Sequence, residues 1–251
     1  MKKSKKKSLL VLLLACLMVF GTVLGTVAWL TATDVKVNTF TVGDIDEPEE
    51  GTIDPVNPDG PEDPDQPNVY DEKVDGNIFE PYWKEDSKLV PGNSIAKDPY
   101  VGIGADSEPS YVYLNVANNF GKIVYFEISD KWTALDGTSV VKISEGGELK
   151  TYYTGGTFRY NEILTPADAD GDGKVDDVWT TAPLFSSVKV SDSADSDDFE
   201  KVEDKEIVLK AFIHQAKDGD GVSLLETANE AVAGMDWSTI EKAPAGVETT
   251  P

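Results

Sequence analysis

Residues 110–120, SYVYLNVANNF, alternate Tyr111, Tyr113 and Asn115 with Val112, Leu114 and Val116. This period-2 pattern predicts a strand with one face turned inward. The segments at 122–132 (KIVYFEISDKW), 151–164 (TYYTGGTFRYNEIL), 183–190 (PLFSSVKV) and 206–216 (EIVLKAFIHQA) repeat the theme, separated by turns rich in Gly, Asp and Pro. Short strands with polar turns and no β-α-β alternation predict an all-β fold, an antiparallel, jelly-roll-like β-sandwich. One stretch has helical spacing instead. In residues 223–235 Ser223 and Glu226 form a capping-box pattern, and Leu224, Leu225, Ala228 and Val232 fall on one face. That spacing predicts one short crossover helix lying on the sandwich.

Ahead of these elements the chain divides sharply. Lys2, Lys3, Lys5, Lys6 and Lys7 precede an apolar run from Leu9 to Leu24, and Thr26-Val27-Ala28 offers small residues for cleavage. Residues 1–28 therefore read as a signal peptide with a helical core, and an uncleaved membrane anchor is the alternative. Residues 29–43 are β-branched and aromatic, a strand-like segment placed directly after the leader. Residues 44–68 carry prolines at 48, 55, 58, 61, 64 and 67 among Asp and Glu, the composition of an extended acidic tether or a surface insertion. The sandwich domain spans 69–242, and 243–251 reads as a disordered tail.

Charge narrows the partners. The formal net charge is −24, and cleavage removes five lysines and no acid, which takes it to −29. Such a surface repels nucleic acid and anionic membrane and attracts divalent cations, so membrane contact is expected only through the leader. The one cysteine, Cys16, lies in the leader, so the mature chain holds itself by core burial or bound ions and not by disulfides.

The densest candidate chemistry is DADGDGKVDDVW, residues 168–179. Asp168, Asp170 and Asp172 stand at positions 1, 3 and 5 of a hand-type calcium loop, Gly173 at 6, Lys174 at 7 with its carbonyl, and Asp176 at 9. Trp179 occupies the twelfth position, where a bidentate Glu is expected, so Asp177 or a water completes the shell. Calcium is the cofactor this loop would take; a solvated acidic turn is the alternative. The acidic stretch 191–198 reads as a solvated loop. Catalysis finds little in the sequence: His214 is the single histidine, Arg159 the single arginine, and no H-E-x-x-H or G-x-S-x-G occurs. His214 reads as a half-buried sheet residue, and the protein as a non-enzyme with no catalytic residues.

Several segments together resemble a known family. The leader running into GTVAWLTATDVKVNTFTVG is similar to SipW-dependent signal peptides, with Trp29, Asp34, Asn38, Thr39, Phe40 and Gly43 in the matching places. Trp83 to Val116 resembles a W-to-P-G segment followed by K-D-P-x-V and V-Y-L strands. Leu164 to Val190 resembles an L-T-P to L-F-x-x-V region, and AFIHQAKDGD the strand before the helix. The family is that of TasA and CalY (camelysin). The resemblance implies a jelly-roll sandwich exported by a SipW-type signal peptidase to the surface or biofilm matrix of a Gram-positive bacterium. There it would form fibres with itself or support other matrix or cell-wall components. Camelysin members have been classed as metalloproteases, and the single histidine here departs from that activity. The acidic tether and the 168–177 loop are two further departures. Cleavage at Ala28 would free a β-prone segment able to pair with the sheet edge of its own domain or of a neighbour. A non-polymeric calcium-binding adhesin is the other class the same fold would serve.

Overall fold

The computed structural model describes residues 31–35, 77–83, 89–168, 171, 173–202 and 205–240. The leader, most of residues 29–43, the 44–68 tether and the 243–251 tail lie outside the described residues. Twelve strands run β1 Thr31–Val35, β2 Ile78–Phe79, β3 Ser94–Ala96, β4 Tyr100–Ile103, β5 Ser110–Asn118, β6 Val124–Phe126, β7 Trp132–Ala134, β8 Ser139–Glu145, β9 Glu148–Tyr160, β10 Val178–Trp179, β11 Ser187–Val190 and β12 Ile207–Gln215. Two α-helices, α1 Ser196–Glu200 and α2 Leu225–Ala233, and two 3-10 turns, Gly121–Ile123 and Trp237–Thr239, complete the described elements. The all-β antiparallel sandwich expected from the pattern is the fold observed: every strand pairing is antiparallel.

The main sheet runs β1-β12-β5-β9-β6-β11-β3, with β7 and β8 also on β9, and a small sheet runs β10-β4-β2. Neighbours in this order are mostly distant in sequence; among the described strands only β8 and β9 are both consecutive and paired. β9 belongs to two layers. Its last residues pair with β5 and β7, and its first with β8 and β6. The turn between layers falls at Gly155 (φ 151°) and Gly156 (φ 125°). A Cβ on Gly156 would stand 2.7 Å from Thr138 Cα, so only glycine fits this corner.

Both layers and the small sheet share one core. Val112, Leu114, Val116, Leu209, Ala211 and Ile213 come from β5 and β12, and Phe126, Phe158, Phe185, Val101 and Ile103 meet them from the other elements. Phe126 anchors it, 4.3 Å from the Phe185 ring centroid and 5.8 Å from that of Phe158. Such offset aromatic pairs add about 0.5–1.5 kcal/mol each beyond area burial. The alternation read in β5 is correct: its even positions enter this core, and Tyr111 and Tyr113 face a second cluster with Phe212, Ala216, Ala228 and Val232.

That second cluster is where α2 lies. It follows the last strand, so it covers the β5–β12 pair and does not cross between strands. The Ser223–Glu226 capping box does not form: Leu224 is the N-cap, without a side-chain cap bond. Ser223 Oγ instead lies 2.9 Å from the Tyr111 hydroxyl and accepts from Leu225 N–H at 3.3 Å, so it holds one tertiary and one local bond at the helix start. The reciprocal capping box is in α1, where Asp195 and Asp198 cap each other's backbone N–H groups. Residues 191–195 of the stretch read as a solvated loop stay non-helical, and residues 196–198 open a five-residue helix, because acids at a helix start satisfy orphan donors.

Candidate functional site

β12 is a strand of the main sheet with buried residues on both of its faces. Leu209, Ala211, Phe212, Ile213 and His214 are all buried, with odd-numbered residues 209, 211 and 213 in the main core and Phe212 under α2. On one side it pairs with β5 along its whole length, from Ile207↔Asn118 to Gln215↔Ser110. On its other side stands β1, in the register Thr31↔His214, Ala32↔Ile213, Thr33↔Phe212, Asp34↔Ala211 and Val35↔Lys210. The five residues of β1 thus complete the edge of a strand buried on both faces. Without it, the backbone groups along the outer side of β12 would be unpaired beside an apolar surface, the template on which other chains add. The N-terminal segment was expected to pair with a sheet edge; within this chain the edge is that of β12.

Side chains fix the acceptor strand in place. Tyr113 and Phe212 are opposite in register with ring centroids 5.9 Å apart, and the Tyr113 hydroxyl donates to Asn229 Oδ1 of α2 at 2.8 Å. Burial pushes the Tyr113 phenol up to about 12. Lys210 donates to the carbonyls of Trp237 and Ile240, tying the chain after α2 to the same strand. His214 is buried, more so than the half-buried position expected, and its Nδ1 lies 2.7 Å from the Gln215 carbonyl. Burial holds its pKa below the ordinary imidazole value, with the Gln215 bond opposing. It behaves as a neutral sheet residue at the strand edge.

The acidic loop lies elsewhere, at the small sheet. Asp168 turns inward on its own loop: Oδ1 accepts from Gly171 N–H at 2.7 Å and Oδ2 from Gly173 N–H at 3.0 Å. Asp176 closes the hairpin by donating its N–H to the Ala167 carbonyl at 3.0 Å. Asp177 Oδ1 accepts from Ala105 N–H at 2.8 Å and stitches the loop to the turn before β5. Lys174 is exposed at the tip, and Asp170 and Asp172 lie outside the described residues. Among the described residues no group of three or more His, Cys, Asp or Glu is placed to hold a metal ion.

One constellation had no reading in the sequence. Glu80, Lys97 and Asp98 are all buried where β2 meets the approach to β4. The visible signal was Glu80 inside the otherwise apolar NIFEPYW, which a sheet would not bury without a partner. Comparison of the chain with protein-family models, with curated proteins and with solved structures found no match to any of them.

Proposed function

We propose that the protein is a secreted structural component of a bacterial cell surface or biofilm matrix, which assembles into fibres by donating β1 to the β12 edge of a neighbouring copy. The observation that carries this is the β1–β12 ladder: a short strand, joined to its own domain only through residues 36–77, completes the edge of a doubly buried strand. Each residue of extended chain spans about 3 Å, so a connection of this length reaches a neighbour as readily as it folds back. Closure within one chain and exchange between chains use the same backbone bonds. Exchange is heterologous, head to tail, and therefore propagates. The likeness of the leader and strand motifs to the TasA and CalY family supports the same reading.

Charge sets the conditions. Copies carrying a formal −24 or more repel within roughly the Debye length of ~8 Å at physiological salt, so calcium or acid that neutralises them favours assembly. Calcium held by the 168–177 loop belongs to this reading as a local contribution to that neutralisation. Deleting residues 29–43 from the mature chain and following sedimentation and electron microscopy tests the proposal. Loss of polymers, with a soluble monomer that a peptide of residues 29–43 can still cap, is the expected result; undiminished fibres would end it.

A further inference from the structure

Asp98 is 2% exposed. Its Oδ1 accepts from Tyr82 N–H at 3.0 Å, and its Oδ2 is buried with no hydrogen-bond partner. An enclosed carboxylate with one oxygen bare is far costlier than the neutral acid in the same place. The neighbouring ammonium is engaged elsewhere: Lys97 Nζ lies 2.7 Å from Glu80 Oε1, with the Trp83 ring centroid 4.4 Å away. Among the described residues, the charged side chains that act on Asp98 are Glu80, from the stretch after β2, and Lys97, beside it in sequence. The phenols nearest in sequence to this cluster, Tyr82 and Tyr100, are neutral in the range that concerns a carboxyl. Residues 182–186, APLFS, bond both sequence neighbours of Asp98, through Lys97 N–H to the Ser186 carbonyl at 3.3 Å and Leu184 N–H to the Pro99 carbonyl at 2.9 Å, and carry no titratable side chain. Burial pushes the Asp98 carboxyl up to about 7, with the Tyr82 N–H opposing, the Glu80 charge adding and the smaller effect of Lys97 opposing.

We propose that Asp98 is a proton-operated latch, which holds residues 77–83 against the sandwich when neutral and releases them when it ionises. The two sides of the latch are unequally attached. Asp98's own side is fixed by the two bonds to residues 182–186 and by the β3–β11 ladder just before it. The facing side is held by two ladder pairs, Ile78↔Val101 and Phe79↔Tyr100, by the bonds exchanged between Asn77 and Gly102, and by the Glu80–Lys97 pair. Once Asp98 has lost its proton its bare oxygen needs water, and the side with the weaker hold is the one that moves to admit it. The Glu80 charge pushes the same way. The closed form keeps a proton that the open form gives up at the ordinary carboxylate value. Between roughly pH 4 and 7, therefore, each unit of rise multiplies the opening constant by up to about ten, and above 7 it levels. β2 is the first described element after β1, so acid shortens the connection that carries β1 and base lengthens it by residues 77–83. That consequence rests on the fibre reading; the latch itself does not.

Two readouts on the purified chain, kept monomeric, test the latch apart from any assembly. One is the carboxyl carbon of Asp98 followed by NMR. The other is amide exchange at Tyr82 and Gly102, whose N–H groups cross the latch to Asp98 Oδ1 and the Asn77 carbonyl. The expected carboxyl midpoint is near 7. The opening constant, corrected for the intrinsic pH dependence of exchange, should rise by up to about tenfold per unit from pH 5 to 7 and then stay level, while the amides of β5 remain protected. Asp98→Asn should hold that constant at one low value across the range. Glu80→Gln should move the Asp98 midpoint to lower pH, because the charge that raises it is gone. A midpoint near 4 in the wild type, or one near 7 that Tyr82 and Gly102 exchange ignores, overturns the proposal. An unmoved midpoint in Glu80→Gln overturns the part given to Glu80.

Discussion

Val35 and Lys210 stand opposite each other on the β1–β12 ladder, so cysteines at both positions, in a Cys16→Ser background, report where β1 is seated. Opposed residues of an antiparallel pair have Cα atoms about 4.5–5.5 Å apart, within the ~4.4–6.8 Å that a disulfide tolerates. If β1 closes its own domain, oxidation forms a loop of about 180 residues, and the chain-entropy relation gives about 5 kcal/mol of added stability. Replacing Lys210 also removes its bonds to the Trp237 and Ile240 carbonyls, at about 1.5–3 kcal/mol for each charge-assisted bond. Comparing oxidised with reduced protein of the same variant cancels that loss. If β1 is donated, the same oxidation links neighbours, and a non-reducing gel shows a ladder that collapses to one band on reduction. Monomer preparations should show the intrachain bond by a raised denaturation midpoint, and fibres the ladder. Thiols that stay free in both preparations would refute the register, and fibres holding only intrachain bonds would refute donation.

Gly156→Ala should lower stability by about 2–4 kcal/mol, since it sets a Cβ against Thr138 at a φ that only glycine adopts freely; an unchanged denaturant midpoint would count against the corner. His214 has a folded pKa below its unfolded value of 6.5, so the unfolded chain takes up the proton first and stability falls as pH drops below about 6.5. His214→Gln should flatten that fall between pH 7.5 and 5.5 in urea melts, and equal slopes would refute the assignment. Calcium in the ~0.1–1 mM range of extracellular loops should shift the emission of Trp179, which is buried beside the 168–177 loop, and Asp168→Ala should abolish the shift. No response in the wild type would leave the loop a hydrogen-bonded acidic turn.

Where one face of a strand meets the core and the other a polar environment or a second cluster, the alternation could be read directly. Val112, Leu114 and Val116 against Tyr111 and Tyr113 is such a case. Short strands escaped because β2 and β10 are two residues long, too brief for any period. The helix was visible in its apolar spacing, yet it starts at Leu225, one residue later than the capping-box pattern implies, with Ser223 shared between Leu225 N–H and the Tyr111 hydroxyl across the fold. The 191–198 segment looked like a loop because its acids cap a helix start and do not pack. Partner choice was invisible for the same reason: β1 and β12 are far apart in sequence, and nothing local to either specifies the other. The burial of Glu80, Lys97 and Asp98 likewise depends on elements that meet only in three dimensions.

The order of the strands also sets a timetable. β5 finds its partner β12 only after about a hundred further residues, and β1 finds the same partner after still more. Pairings of such long separation form slowly and late. Under the proposed export from the N-terminus, β1 would reach the outside long before its own β12 exists there. In that interval it would be exposed to any subunit already standing at the surface with an uncapped edge, and assembly would be decided by which edge arrives first.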